Sequence, residues 1–430
     1  MGKHEDDPSS SEGDLLVYTF RSHHNAYQEE DGSGATIIRK EIKPGVLRTI
    51  AQYFHGVILI HYFLWFIPMF FMLYLPTYFG YWWVSWIMLT MYLRTYYTVD
   101  ELKRGRPWNW LRTHRLWKLM QNYLQLEVVR EAKLDPKRQY IFGTHPHGII
   151  ILSRTSTYGN LFERLFPGIE QRVLGATPMF NLPGSRELCL WMGAVRADKA
   201  NAVQILEKHK LSLLLYPGGS SEIFETDSES TDTVIIARKG FIRLALQHGC
   251  DLVPSFVFGE KHAYHKLNLP EKFKKFMMET LRTPLIIFWG KFFTWLPLQQ
   301  EKFYLSTIFG KPIRVEKAVA EPSEEEVNEL YEQFYSEIRN LYEKYKERYG
   351  YGTTERLVIR EAHKEEKPNK KAYQNGHANG NGVSKSSTIS PEKQPNGISN
   401  GNGYTNGFAS HAANGIQNGG AKLVKCALND

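Results

Sequence analysis

Residues 139–152, QYIFGTHPHGIIIL, set two histidines around a proline between two apolar runs. That order, apolar then sharply polar then apolar, is the pattern of a buried strand that delivers a loop. The strand is expected from Gln139 to Phe142, with Gly143, Thr144, Pro146 and Gly148 shaping the loop. Pro146 fixes its own φ and keeps His145 extended, so the two imidazoles hold a defined relation. An imidazole that titrates near neutrality is suited to taking a proton from a hydroxyl.

Two other loops carry unusual residues. In Tyr216-Pro217-Gly218-Gly219-Ser220-Ser221-Glu222 the paired glycines let backbone N–H groups approach a ligand, and a carboxylate follows at Glu222. In IARKGFIRLALQHG, Arg238, Lys239 and Arg243 lie at or near a helix start, beside Gly240. A base, a carboxylate to orient or polarise it, backbone donors for an oxyanion and cations for phosphates together meet the needs of acyl transfer from a carrier such as CoA. Each signal has a plainer reading: a packed loop, a tight turn, a solvated face. Weak singly, they are informative jointly. No Gly-x-Ser-x-Gly elbow supports a serine hydrolase. His114, His209, His248, His262 and His265 belong to no ligand pattern, so no metal is expected.

These loops need elements to aim them. Strands are expected at Tyr140–Phe142, Leu211–Tyr216, Leu252–Phe258 and Leu285–Trp289, and helices at Ala200–Lys210, behind the cap Asp198, and at Val234–His248. After Pro322, Ser323 and Glu326 form a capping box. Val327, Leu330, Tyr331, Phe334, Ile338, Leu341, Tyr342 and Tyr345 then give an apolar stripe over a 323–348 helix, read as packing alone. Strands alternating with helices imply an α/β layered body, whose loops at strand carboxyl ends converge on one crevice.

The 430 residues divide sharply by composition. Residues 1–44 are polar and of mixed charge, and are expected to be a disordered cytosolic arm. Residues 45–98 hold a hydrophobic helical hairpin: between 57 and 97 there is no Asp, Glu or Lys, and the only Arg is Arg94. Its halves, Val57 to Phe79 and Tyr81 to Tyr97, approach the length of a bilayer span, with Pro76 and Gly80 between them. Basic residues flank both ends, which places both on the cytosolic side, whether the hairpin crosses twice or re-enters. Residues 99–134 read as an interfacial segment, 135–351 as the catalytic body and 352–430 as a disordered Asn/Gly-rich tail. Three scattered cysteines, Cys189, Cys250 and Cys426, fit a reducing compartment. The net charge of +8 suits an anionic membrane or a phosphate-bearing ligand, whereas no compact basic run or motif points to nucleic acid.

Over roughly residues 45 to 350 the chain resembles the diacylglycerol acyltransferase 2 family, which includes monoacylglycerol and wax-alcohol acyltransferases. The resemblance rests on THPHG at 144–148, LGATPMFNLPGSRELCLWMGAV at 174–195, YPGGSSE at 216–222, RKGFIRLALQHGCDLVPSFVFGE at 238–260 and GKPI at 310–313. It implies a glycerolipid-acyltransferase-like α/β body and an integral enzyme of the endoplasmic reticulum and lipid droplets. Such an enzyme moves a fatty acyl group from acyl-CoA to diacylglycerol, with no cofactor beyond that substrate and no covalent intermediate. Bilayer and droplet surface are the implied partners, with room for a homo-oligomer. Carried onto this chain, the pattern makes His147 the general base and Glu222 its partner, with His145 supporting the loop. Gly148, Pro217, Gly218 and Gly219 line the substrate, and Arg238, Lys239, Gly240 and Arg243 match the element that we assign to phosphate.

The chain departs from the family in two places: NYLQL stands where Tyr-Phe-Pro is usual, and YFLWFI approaches but does not match Phe-Leu-x-Leu. Glycerol-phosphate acyltransferases carry an Asp five residues after the His; Ile150 and Leu152 stand there, which argues against that substrate. A monoacylglycerol or long-chain alcohol acceptor is the enzymatic alternative, and a non-catalytic droplet scaffold the alternative of another class.

Overall fold

The computed structural model describes residues 16–19, 26–30, 36–40, 46–61, 64–267, 269–270, 272–273, 286–298 and 305–362. The strands among them are β1 (Leu16–Thr19), β2 (Ala26–Glu30), β3 (Thr36–Lys40), β4 (Glu127–Arg130), β5 (Tyr140–His145), β6 (Gln171–Gly175) and β7 (Ala194–Arg196). They continue with β8 (Ser212–Leu215), β9 (Asp232–Ala237), β10 (Asp251–Phe258), β11 (His265–Lys266), β12 (Phe288–Trp289), β13 (Ser306–Phe309) and β14 (Arg356–Glu361). The helices are α1 (Val46–Ile60), α2 (Phe66–Tyr78), α3 (Trp82–Tyr96), α4 (Asn109–Thr113), α5 (Trp117–Tyr123) and α6 (Leu161–Leu165). After them come α7 (Pro178–Asn181), α8 (Ser185–Trp191), α9 (Lys199–Glu207), α10 (Gly219–Glu225), α11 (Gly240–His248) and α12 (Glu324–Tyr345).

One large sheet has the order β3-β2-β1-β4-β13-β10-β5-β8-β6-β7. From β10 through β5, β8 and β6 to β7 every pairing is parallel, while β13 runs antiparallel to β10. A parallel sheet must be covered on both faces, and side chains alternate between the faces along each strand. Ile141, Leu213, Leu215, Leu252 and Phe256 thus enter the core under α9, α11 and α12. Their neighbours Phe142, Leu214, Val253 and Val257 enter a second core with Met120, Phe162 and Phe166 of α5, α6 and the residue after α6. The α12 stripe is buried as expected and its Ser323–Glu326 capping box forms, with the Ser323 side chain accepting from Glu326 N–H at 3.2 Å. Asp198 likewise caps α9, accepting from Asn201 N–H at 2.9 Å. Arg138 forks onto buried Asp251 at 2.6 and 2.7 Å, which pins the start of β10 beside β5.

Several boundaries differ from the sequence reading. Val234–His248 is not one helix: its opening Val-Ile-Ile run belongs to β9, since branched side chains favour a strand, and α11 starts only at Gly240. β9 pairs with β14, so part of the expected disordered tail is a strand; residues beyond 362 lie outside the described ones. The 1–44 arm carries β1 to β3, which extend the sheet beside β4. Of the expected strand at Leu285–Trp289 only Phe288–Trp289 is one, paired with β11 in a small separate sheet, and Leu285 lies outside the described residues. In the expected interfacial segment, Trp117, Met120 and Tyr123 of α5 pack into the core and β4 joins the sheet.

The hairpin is also shorter than expected. α2 and α3 form it, turning at Gly80 (φ 84°), with Thr77 Oγ1 donating to Ser85 Oγ at 2.8 Å. At 1.5 Å per residue each reaches roughly 20 Å, and among the described residues no helix is long and apolar enough to cross a membrane. Its foot is tied to the body by buried Arg186, which bonds Glu101 at 2.8 Å and Glu187 at 2.9 Å and lies over the Tyr96 ring. Tyr92 donates to Glu187 at 3.1 Å. Gly184 (φ 80°) has no room for a side chain, since an added Cβ would lie 2.9 Å from the Trp65 carbonyl oxygen.

Phe334 of α12 is fully buried against the sheet, and a Cβ added at Gly143 would come within 2.7 Å of its ring. Phe334→Ala should therefore destabilise the body by about 3–5 kcal/mol, whereas the exposed Gln333→Ala should stay within about 0.5 kcal/mol. Thermal unfolding of the two variants in detergent checks this, and equal midpoints would contradict it.

Candidate active site

β10, β5 and β8 lie side by side and run the same way, so the loops leaving their carboxyl ends are neighbours. β5 runs on to His145, three residues past the expected end, and His145 pairs with Phe256 of β10. Its side chain therefore shares the face of Ile141 and Gly143, under α12. Pro146 then turns the chain, and His147 stands beyond the sheet edge, only partly buried.

Glu222 sits in the first turn of α10, after the β8 loop, and is 0 % exposed. A Cβ on Gly218 would collide with its carboxyl group, so this glycine supplies the space that Glu222 fills. Three donors meet there. His145 Nδ1 lies 2.6 Å from Oε1, Ile236 N–H donates to Oε1 at 2.8 Å and His147 N–H donates to Oε2 at 2.6 Å. A buried carboxyl group is tolerable only with such partners. On the far side of the His145 ring, Tyr335 of α12 places its hydroxyl 3.4 Å from Nε2 while accepting from Arg238 N–H at 3.0 Å.

His147 Nδ1 lies 3.0 Å from the Gly148 carbonyl oxygen. A carbonyl can only accept, so Nδ1 carries the proton and Nε2 presents a lone pair. Burial lowers the His147 pKa from 6.5, against smaller opposing effects of the Gly148 hydrogen bond and Glu222, so the ring is neutral at pH 7. The Tyr216 ring packs edge-on against it at 5.8 Å, and the Tyr216 hydroxyl pairs with Ser153 Oγ at 3.1 Å.

The structure corrects two details of the expected site. Glu222 bonds the ring of His145 and reaches His147 only through its backbone N–H, because the β5 pairing runs on through His145 and Pro146 then turns the chain before His147. One N–H of the glycine turn is already committed, since Gly219 N–H donates to the Tyr216 carbonyl at 3.1 Å.

The first two loops are thus brought together: His145, His147, Gly148, Pro217, Gly218, Gly219 and Glu222 share one place. The third only borders it. Arg238 bonds Ser221 Oγ at 3.1 Å, but Lys239 bonds Asn328 at 2.8 Å and Arg243 pairs with Glu324 at 2.7 Å, both on or beside α12, and Gly240 opens α11. The sequence reading missed Tyr335, Tyr216 and Glu260. Glu260, just past β10, is buried, and its Oε1 accepts from Leu152 and Ser153 N–H. The signal for it was a carboxylate one residue after an apolar strand and a glycine, at a strand's carboxyl end.

The family model for diacylglycerol acyltransferase matches residues 77–360. Diacylglycerol O-acyltransferase 2A of Umbelopsis ramanniana is 32 % identical over 280 residues, covering 62 % of this chain and 79 % of the relative. 2-Acylglycerol O-acyltransferase 1 of Mus musculus is 31 % identical over 272 residues, covering 60 % and 80 %. Diacylglycerol O-acyltransferase 2 of Xenopus tropicalis is 29 % identical over 293 residues, covering 64 % and 80 %. No solved structure matches. The matched span runs from the hairpin through both histidines and Glu222 to β14, and the chain belongs to the diacylglycerol acyltransferase family.

Proposed function

We propose that the chain transfers a fatty acyl group from acyl-CoA to the free hydroxyl of diacylglycerol, making triacylglycerol, with His147 as general base. The observation that carries this reading is the lone pair on His147 Nε2, on a neutral ring whose backbone is held by Glu222 and whose tautomer is set by Gly148. The acceptor oxygen bonds the thioester carbonyl carbon as its proton passes to Nε2. The tetrahedral intermediate collapses, the C–S bond breaks, and the CoA sulfur takes the proton back from the imidazolium. No bond to the protein forms and no cofactor is needed. His145 and Glu222 are positioning residues, bonded to each other inside the body. With Gly219 N–H committed, oxyanion donors come from the rest of the Pro217–Ser221 turn. Arg238, exposed beside Ser221, is the first candidate for a CoA phosphate; Lys239 and Arg243 would have to release Asn328 and Glu324.

We also propose that α2 and α3 dip into one leaflet and return, keeping the catalytic body and both termini on the cytosolic side of the endoplasmic reticulum. Neither helix has a buried residue, and both are dominated by Phe, Tyr, Trp, Leu and Met. A hairpin that need not cross also suits a droplet, whose monolayer has no far aqueous side. The name of the 2-acylglycerol relative supports monoacylglycerol as a second acceptor.

The decisive assay is triacylglycerol synthesis from labelled acyl-CoA and diacylglycerol, in membranes of a cell lacking that activity. Wild type should be active, and His147→Ala at matched protein level should be slower by about 10²–10⁴-fold. Equal rates would remove His147 from the mechanism, and faster turnover of monoacylglycerol or an alcohol would change the acceptor. In Glu222→Gln an amide N–H₂ faces donors that need an acceptor, so kcat should fall about 10- to 100-fold as the loop shifts; unchanged kcat would sink the positioning role. The pKa shift of His147 is downward, so its neutral form persists below the usual value. The acid limb of kcat/KM should accordingly have its midpoint below 6.5, and one at or above 6.5 would exclude His147 as its source.

A further inference from the structure

We propose that Glu260 is a positioning residue for His147, its carboxyl group wedged against Gly148 and stapling the end of the histidine loop to the turn at Ser153. The proposal rests on the assignment of His147 as base.

Glu260 leaves β10 through Gly259 (φ 84°), whose N–H donates to the Tyr351 hydroxyl at 2.9 Å, so its origin is fixed. Its side chain is 1 % exposed. Oε1 accepts from both Leu152 and Ser153 N–H, at the start of the Ser153–Thr157 turn, and Oε2 is buried with no hydrogen-bond partner among the described residues. Gly148 has φ +66°, and a Cβ there would lie 2.5 Å from Glu260 Cγ. Gly148 is thus held from one side by Glu260 and, through its own carbonyl, holds His147 Nδ1 on the other. Displacing Gly148 would turn that carbonyl, release the tautomer and misdirect Nε2.

An anion would be poorly hosted there. Glu222 faces Glu260 from α10, Tyr216 from the β8 loop and Tyr351 from the segment after α12. The neighbouring cations are turned elsewhere, Lys261 to Glu355 and Arg154 over the Tyr158 ring. Burial first, then Glu222, pushes the Glu260 carboxyl up to about 8, against the Leu152 and Ser153 hydrogen bonds, so it is neutral at pH 7. Its ionisation places a second negative charge beside Glu222, which itself holds His147 N–H, and so disturbs the histidine loop by repulsion as pH rises.

The test is steady-state kinetics of the full chain in membranes for wild type, Glu260→Gln and Glu260→Ala, with thermal midpoints as folding controls. Glu260→Ala should lose about 30- to 100-fold in kcat while KM for acyl-CoA stays within about twofold. Glu260→Gln, a neutral side chain of the same shape that still accepts from Leu152 and Ser153, should keep kcat at pH 7 within about threefold of wild type. Wild-type kcat should fall as pH rises through about 8, and that of Glu260→Gln should not. If Glu260→Ala fails to fold, the Gln variant decides alone. Full kcat in Glu260→Ala, or an unchanged alkaline fall or a kcat loss as deep as that expected of Ala in Glu260→Gln, would overturn the proposal. The two failures separate: an active His147→Ala enzyme refutes the base and this role with it. An inactive His147→Ala beside a fully active Glu260→Ala refutes the positioning role alone.

Discussion

One buried carboxyl group, Glu222, sets the geometry on which the site depends. It is cut off from water and accepts from a side chain on β5, a backbone N–H at the end of β9 and the backbone of His147. The end of β5 and the loop after it are thereby held to α10 and β9, which lie more than seventy residues further along the chain. Losing any donor leaves the carboxyl group under-bonded where no water replaces it, a cost of about 1–3 kcal/mol for each. The glycine at 218 serves the same end, since a side chain there would displace the carboxyl group. The Pro-Gly-Gly turn is a consequence of where Glu222 must lie.

Much of this was legible in the sequence. The α12 stripe with its capping box, the Asp198 cap and the buried strands follow from local periodicity and cap chemistry, which are short-range rules. The three loops were recognisable because glycine, proline and charge interrupt apolar runs. The partner of each histidine was not legible. Whether Glu222 meets the ring of His145 or of His147 depends on where β5 stops, and three residues of added strand move His145 from loop to sheet. Tyr335 was hidden for a similar reason: it sits beside Phe334 on a helix whose apolar spacing is fully explained by packing, yet its hydroxyl reaches His145. The branched Val-Ile-Ile run of β9 was masked by the helical pattern of α11 directly after it.

Charge was misleading in the other direction. Arg238, Lys239 and Arg243 look like a ready phosphate clamp when read along the chain. In the fold, α12 presents Asn328 and Glu324 to two of them, and only Arg238 leans toward the glycine turn. A cationic run in sequence says little about direction: Arg238 lies before α11 and turns to Ser221, whereas Lys239 and Arg243, four residues apart, share the side that meets α12.

The foot of the hairpin carries another consequence. Arg186, Glu101, Glu187 and Tyr92 form one bonded group that spans the end of α3, the segment after it and α8, with Gly184 leaving space for the Trp65 backbone. The apolar hairpin is therefore no detachable anchor. Exchanging it between relatives at the apparent composition boundary near residue 98 would keep the Arg186 ion pairs but remove Tyr92 from Glu187 and the Tyr96 ring from under Arg186, uncovering a buried charged group. A workable chimera must carry residues 181–187 together with the hairpin, so the true module is discontinuous in sequence: the piece that touches lipid is inherited with a segment almost a hundred residues downstream.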